Sequence, residues 1–298
     1  MKFTKTALAV AIAGLIAAPI ASADVTLSGY VGFVLEGTDE DGDAGNLGMG
    51  GDDSTLNVNA SHELNSGLTG YGNWRVDAGL VGSGAVADNV HIGVKGGFGD
   101  VRIGEVPDAL EYGQKANDAL WDIGGENFGI SYTGAFGPAT VGLNWSPEGN
   151  GTGSGSVAGD RAGSDKIAAG IKFNAGGFGV GVGGASIGDD TAFSAGASFG
   201  IAGASAAVAL KSRDLDATNN ERSTLSATLG YGVGNVSAKL SYAVETGDVN
   251  EDDNLIRLDL GYGLGGGMNL STRITSFTDD SDSAGDYTRF RVLMSKDF

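Results

Sequence analysis

The sequence predicts an all-β protein, a membrane-spanning antiparallel up-and-down β-barrel of about 16 strands. Three observations predict this fold class. Glycine accounts for 54 of the 298 residues, and each interior glycine costs a helix about 1 kcal/mol relative to alanine. Apolar and polar residues alternate with period two along most of the chain, which is the pattern of β-strands. Short glycine turns alternate with longer acidic loops, as in barrels with short turns at one rim and long loops at the other.

Residues 1–23 are predicted to be a cleaved signal peptide. Two lysines precede an apolar run from Ala7 to Ala18, and Ala21-Ser22-Ala23 has the small side chains of a cleavage site. The apolar run is shorter than the ~20 residues that a membrane-spanning helix needs. We therefore expect an exported chain in which residues 24–298 form a single barrel domain.

The predicted strands follow one another without a helix between them. They lie near residues 25–37, 54–64, 68–80, 89–97, 99–106, 128–137, 138–148, 165–176, 177–188, 191–200, 201–214, 221–232, 234–247, 254–265, 266–280 and 286–298. Short turns are expected at Gly97, Gly137, Gly177, Gly200 and Gly266. Between residues 177 and 214 glycine and alanine are so frequent that strands are predicted but their register is not.

The last predicted strand shows which face meets lipid. Phe290, Val292, Met294 and Phe298 fall on one face, and arginine, serine and aspartate fall on the other. A soluble β-sandwich would also alternate, but it needs bulky side chains to fill its core, and only 8% of the residues are aromatic. A barrel turns its apolar face outward to lipid and its polar face toward water, so its centre needs no packing. The pattern therefore favours the barrel.

The composition excludes several other classes of protein. The chain has no cysteine, which excludes disulfide scaffolds and thiolate metal sites. Without the two lysines of the signal peptide, 16 basic residues stand against 37 acidic ones, a net charge of −21. An acidic chain does not suit nucleic acid, whose phosphates require a basic surface. With two histidines and no H-E-x-x-H motif, the chain is not expected to be an enzyme.

Three stretches resemble the trimeric general porins of Gram-negative bacteria. Ile92–Tyr112 (IGVKGGFGDVRIGEVPDALEY) is similar to a strand–turn–strand and its following loop, Asp24–Gly37 (DVTLSGYVGFVLEG) to the first mature strand, and DYTRFRVLMSKDF to the last. The resemblance implies a non-specific channel of the outer membrane, assembled as a homotrimer in lipid and lipopolysaccharide. It also implies that the terminal Phe298 belongs to an assembly signal.

The resemblance further implies that a long loop after the fifth strand folds into the lumen and narrows it. Here that loop is Val106–Asn127, and its acidic residues are Asp108, Glu111, Asp118, Asp122 and Glu126. The alternation places basic residues of neighbouring strands on the facing wall: Arg75, Lys95, Arg102, Arg289 and Arg291. Opposite unit charges ~8 Å apart interact by roughly 0.5–2 kcal/mol at dielectric constants of 80 to 20. That energy orients a polar solute without trapping it.

These features predict passive diffusion of ions and small hydrophilic solutes, with a weak preference for cations. The acidic outer loops should concentrate cations within a Debye length of ~8 Å. Two alternatives remain open: a substrate-selective outer-membrane channel, and a secreted adhesin-type binding protein rich in glycine and aspartate. The adhesin would show nine-residue glycine repeats, which the sequence lacks.

The loop Thr38–Asn46 has the spacing of a possible Ca²⁺ site. Asp39, Asp41 and Asp43 stand at alternate positions, but the later glutamate that completes an EF-hand is missing. We expect no required cofactor, and we keep a structural Ca²⁺ at these aspartates as a hypothesis beside a solvated acidic loop.

Overall fold

The computed structural model describes residues 24–40, 43–45, 47–52, 54–64, 66–78, 86–116, 127–147, 165–215, 220–247, 253–278 and 285–298. Within these ranges the strands are β1 (Asp24–Glu40), β2 (Asp43–Ala44), β3 (Gly48–Gly51), β4 (Ser54–Leu64), β5 (Leu68–Ala78), β6 (Val86–Gly96), β7 (Gly99–Val106), β8 (Asn127–Phe136), β9 (Ala139–Ser146), β10 (Lys166–Ala175), β11 (Phe178–Ile187), β12 (Asp190–Ile201), β13 (Ala204–Leu215), β14 (Asn220–Val233), β15 (Val236–Gly247), β16 (Asp253–Gly265), β17 (Met268–Thr278) and β18 (Tyr287–Asp297). One short 3-10 helix, Ala109–Gly113, follows β7. No helix in the described ranges is long and apolar enough to cross a membrane.

All strand pairs are antiparallel and the sheet closes on itself. Strand β1 pairs with β2, β3 and β4 in turn, so these three segments act as one interrupted strand. On its other side β1 pairs with β18, from Tyr30 opposite Asp297 to Glu40 opposite Tyr287. The result is a closed barrel of 16 strands. Closure leaves no unpaired edge among the described strands, which is what backbone polar groups require in lipid. The predicted fold class is confirmed.

The two faces of the wall differ in the way that the alternation predicts. Large apolar side chains such as Leu229 and Val233 are 61% exposed on the outer face. Inward positions of the same region are polar and buried, as Thr224, Ser226 and Ser241 show. The cluster of buried apolar residues is small, with Leu110 and Ala192 at its centre and Ala185 packed against it. The wall is thus stabilised by backbone hydrogen bonds between neighbouring strands, and its large apolar side chains face outward.

The predicted strands agree with the structure to within a few residues, and one turn differs. The sequence predicts a turn at Gly200, but Gly200 lies inside β12 and pairs with Ser205. The turn comes at Ala202 and Gly203, whose φ angles are 48° and 83°. A two-residue hairpin turn of type I′ needs positive φ at both central positions. Glycine-rich sequence alone does not show which neighbouring pair adopts this conformation.

The register between residues 177 and 214, which the sequence does not predict, is continuous in the structure. Strand β11 pairs with β12 from Phe178 opposite Phe199 to Ile187 opposite Asp190, without a bulge. Strand β12 pairs with β13 in the same regular way. Short side chains hide the alternation in the sequence, but the ladder requires only backbone groups.

Candidate functional site

The segment that follows β7 lies inside the barrel. Its short helix, Ala109–Gly113, begins after Asp108, whose carboxylate accepts a hydrogen bond from the Leu110 amide at 2.9 Å. This is the capping arrangement that satisfies a free amide at a helix start. The helix contacts the inner wall from β9 to β13. The part of the predicted constriction loop that the structure describes, residues 107–116, therefore folds inward.

The inner wall beneath this segment is made of glycine. A Cβ added at any of four inward glycines would come within 3 Å of a carbonyl oxygen of the segment. The pairs are Gly170 with Ala109, Gly181 with Tyr112, Gly183 with Leu110, and Gly196 with Gly113. We call these four residues the glycine seat. Glycine is used here because another backbone approaches the strand closely.

Polar contacts join the segment to the same wall. The side chain of Asn144 on β9 accepts a hydrogen bond from the Ala109 amide at 2.6 Å and donates one to the Pro107 carbonyl at 2.5 Å. The hydroxyl of Ser194 on β12 donates to the Leu110 carbonyl. Three backbone groups of the segment are thereby satisfied by inward side chains, as buried polar groups require.

An ion pair is buried at the start of the segment. Lys166 Nζ on β10 lies 2.5 Å from Asp108 Oδ2, and the two side chains are 4% and 0% exposed. Asp108 is therefore inside the barrel, and Lys166 faces its charge directly. Glu111, the next acidic residue, is half-buried and has interactions of its own.

Tyr112 and two lysines lie at the other end of the segment. The Tyr112 ring covers Gly142 on β9, and Lys172 Nζ lies 4.5 Å from the centre of the ring, which is cation–π geometry. Burial, followed by the nearby positive charge of Lys172, lowers the pKa of Lys115. Two cations, Lys115 and Lys172, thus lie close together at the end of the described segment.

Four inward arginines lie across the lumen from the glycine seat. Counting eight strands from β11 in either direction leads to β1, which is flanked by β18. Arg273 lies directly opposite Arg291 in the ladder, with Arg257 and Arg289 on the adjoining rows. We call these four residues the arginine wall. Like charges opposite each other are destabilising by themselves, so this arrangement requires nearby carboxylates.

Three carboxylates serve the arginine wall. Arg273 Nε lies 2.6 Å from Asp259 Oδ1. Both Arg289 and Arg291 lie beside Glu36, at 3.8 and 3.7 Å, and Arg291 also pairs with Asp52. These groups are partly exposed, with 26% of the Arg291 side chain and 45% of the Arg289 side chain accessible. The charges on this side therefore face water in the lumen.

The remaining predicted basic residues, Arg75, Lys95 and Arg102, lie on β5, β6 and β7. Lys95 Nζ and Arg102 Cζ lie 5.4 and 5.9 Å from the centre of the Tyr71 ring. Arg102 also pairs with Asp100 at 3.0 Å, and the Tyr71 hydroxyl donates to the same carboxylate. Arg75 pairs with Asp77 of its own strand at 3.1 Å. The structure thus brings Lys95 together with Arg102 and Arg289 together with Arg291.

Several predicted residues lie outside the described residues. These are Asp118, Asp122 and Glu126 of the loop, Asp41, and the side chain of Asp43. Asp39 lies on β1, where it is exposed and pairs with Thr288 and Ala44. Among the residues that the structure describes, no group of three or more acidic or histidine side chains could hold a metal ion.

The terminal residue completes the closure of the barrel. The Gly29 amide donates to the Phe298 carbonyl at 2.9 Å, and the Phe298 amide donates to the Gly29 carbonyl at 3.1 Å. The Phe298 ring lies over Gly29, where an added Cβ would come within 3 Å of ring carbons. The side chain is 61% exposed on the outer face, so the predicted aromatic end of the last strand does lie on the lipid side.

Sequence reasoning missed Lys166, Arg257, Arg273 and the glycine seat as parts of the site. Arg257 and Arg273 occupy inward positions of the alternation, but nothing local distinguishes them from other inward cations. The glycine seat did leave a signal, because Gly179, Gly181 and Gly183 repeat at every second position of one strand. Three glycines on one face indicate that something other than side chains covers it.

Comparison with known proteins agrees with this architecture. The family model for Gram-negative porins matches residues 6–282. The chain belongs to the Gram-negative porin family. No protein of curated function matches the sequence. Our porin is similar in structure to the anion-selective porin of Comamonas acidovorans, with 19% identity, a TM-score of 0.72, and coverage of 93% of this chain and 100% of the other.

Two further solved structures have the same fold. The outer membrane channel DcaP of Acinetobacter baumannii is 14% identical to the porin, with a TM-score of 0.75 and coverage of 94% of this chain and 99% of the other. The trimer form of OmpT, an outer membrane protein of Vibrio cholerae, is 15% identical, with a TM-score of 0.71 and coverage of 93% and 100%. At these identities the likeness concerns the fold.

Proposed function

We propose that this porin is a water-filled channel of the outer membrane for passive diffusion of ions and small hydrophilic solutes, without catalytic activity. One observation carries the proposal: a closed barrel with an apolar exterior encloses ionised side chains, and a loop segment folds against its inner wall. Sixteen strands enclose a lumen wide enough for water. Family membership supports the same function.

The finer proposal is a weak preference for cations. The acidic loops favour cations at the mouth, as reasoned from the sequence, since residues 24–298 carry 16 basic and 37 acidic side chains. The arginine wall supports the opposite preference, because its four cations face the lumen with three nearby carboxylates. Moreover, the charge of Asp108 is paired with Lys166 and contributes less to the field at the constriction. The two contributions partly cancel, so the proposed selectivity is weak, and the acidic loops give it the sign of a cation preference.

A substrate-selective channel is the second candidate. Phe277 and Tyr287 stack at 5.2 Å between ring centres with an angle of 27°, and Arg289 lies 5.3 Å from the centre of the Tyr287 ring. Aromatic rings beside a cation suit a solute that has both an apolar face and a charge. In this case the current would saturate at high solute concentration, whereas free diffusion gives a linear dependence.

We further propose a homotrimer in contact with outer-membrane lipid and lipopolysaccharide. Support comes from the family and from OmpT, for which a trimer form is known. No cofactor is proposed. A Ca²⁺ ion at Asp39, Asp41 and Asp43 stays a prediction, and removal by a chelator followed by a thermal shift measurement would test it.

Single-channel recording of the refolded protein in planar bilayers tests the proposed function. In a salt gradient we expect a reversal potential of the cation-selective sign, reduced when Asp118→Asn and Asp122→Asn are combined. Lys296→Gln on the outer face is the control and should leave the potential unchanged. An anion-selective potential contradicts the cation preference, and the absence of channels contradicts the proposed function as a whole.

A further inference from the structure

We propose that the buried Asp108–Lys166 pair and the glycine seat set how deeply the constriction loop lies in the lumen, and hence the bore of the channel. In this proposal Asp108 and Lys166 are positioning residues. Their charges hold a segment of the chain against the wall and do not act on the passing solute. The inference rests on the proposed channel function and concerns the dimension that limits it.

The first step is the burial of the pair. Asp108 and Lys166 are 0% and 4% exposed at a separation of 2.5 Å, and the second oxygen of Asp108 caps the Leu110 amide. The carboxylate is thus occupied on both sides by groups of the protein. By contrast, Arg291 and Glu36 across the lumen are partly exposed. Only the second kind of pair offers its charge to an ion in the lumen.

The second step is the direct contact of backbones at the glycine seat. Four carbonyl oxygens of residues 109–113 lie where the Cβ of a larger residue would have to be. A protein interior does not absorb such an overlap without displacement. Any side chain at these positions therefore moves the segment away from the wall and toward the axis of the channel. The segment therefore lies as close to the wall as glycine, which has no side chain, allows.

The third step is that the ion pair and the glycine seat both act on the distance between the segment and the wall. The glycines permit close approach, and the pair, with Asn144 and Ser194, holds the segment there. Removal of either partner leaves a buried charge without compensation, which favours release of the segment. A methyl group at the seat displaces the segment without altering any charge. These two perturbations are therefore separable by experiment.

The experiment measures single-channel conductance, current noise and reversal potential of the full-length protein in planar bilayers. We expect Gly181→Ala to lower the conductance, because its Cβ would overlap the Tyr112 carbonyl. The matched control is Gly184→Ala on the same strand, whose nearest neighbour lies 3.8 Å from an added Cβ and which should conduct like the wild type. Gly196→Ala provides a second seat variant if Gly181→Ala does not refold.

Lys166→Met and Asp108→Asn are expected to increase current noise and closures, and the double variant to be quieter than either single one. All three should leave the reversal potential unchanged. Equal conductance of Gly181→Ala and Gly184→Ala overturns the proposal. So does a shift of reversal potential in Asp108→Asn with steady current, since Asp108 would then act on the ions directly. If the wild type forms no channel, the proposed function fails first, and that result is distinct from these.

Discussion

The two sides of the barrel interior are built from opposite kinds of residue. On β10 to β12 most inward positions are glycine, alanine or serine, with Lys166 and Lys172 also among them, and another part of the chain covers them. On β16 to β18 the inward positions include the arginine wall, and water covers them. Both sides have the same antiparallel ladder. Strand pairing uses backbone groups and therefore does not restrict which side chains lie on the inner face. Those side chains are mostly small where another segment packs against the wall, and they include charged residues where water fills the lumen.

The two sides of the barrel interior also differ in how deeply their ion pairs are buried. On the side of the glycine seat the Asp108–Lys166 pair is enclosed by protein. On the side of β5 to β7 and β16 to β18 the pairs are partly exposed, and water screens them. A buried pair is expensive to break, whereas an exposed pair contributes little.

The largest expected effect is that of Lys166→Met. It leaves the buried Asp108 carboxylate without its cationic partner, and such losses cost about 3–5 kcal/mol. Arg75→Met is the control, because Arg75 and Asp77 are 32% and 35% exposed, and breaking such a pair costs about 0–1 kcal/mol. Urea titration in lipid vesicles measures both free energies of unfolding. Equal losses would show that burial does not distinguish the two pairs.

An intermediate effect is expected from a single methyl group on each side. Gly170→Ala places a Cβ against the Ala109 carbonyl, and overpacking of this kind costs about 1–3 kcal/mol. Gly261→Ala on β16 meets the hydroxyl of Ser237 at 2.6 Å, the end of a side chain that can rotate. We expect it to be neutral or to stabilise by about 0.4–1 kcal/mol through the unfolded chain. The comparison fails if Gly261→Ala destabilises as much as Gly170→Ala.

The smallest expected effect concerns Lys115 and pH. Burial and the charge of Lys172 lower the pKa of Lys115 below its ordinary value of 10.5, so the folded protein binds this proton less tightly than the unfolded chain does. Stability from this group therefore rises as pH rises between the lowered pKa and 10.5. Unfolding midpoints measured across this alkaline window should show a slightly steeper rise for the wild type than for Lys115→Met. Identical slopes of midpoint against pH for the wild type and Lys115→Met would contradict a lowered pKa of Lys115.

The local sequence was sufficient to predict the outer face of a strand where apolar and polar side chains alternate clearly. The last strand has large apolar residues at Phe290, Val292 and Met294, and its predicted outer face is the observed one. Around Gly200 the residues are small on both faces, so the sequence misplaced the turn by two to three positions. The loop was recognised by its length and acidity, but only contact with the wall shows that Asp108 is buried and that Lys166 is its partner.

By itself the sequence determined that the chain forms about 16 strands with lipid on one face and water on the other, because most of the strands show a period of two in their apolar and polar residues. It also determined that a long acidic loop interrupts the series of hairpins. Only the tertiary structure decided where that loop rests, because Gly170, Gly181, Gly183 and Gly196 belong to three different strands. They form one seat only after hydrogen bonding sets the register of the three strands. The resulting distances between residues far apart in the sequence are not encoded in any local pattern.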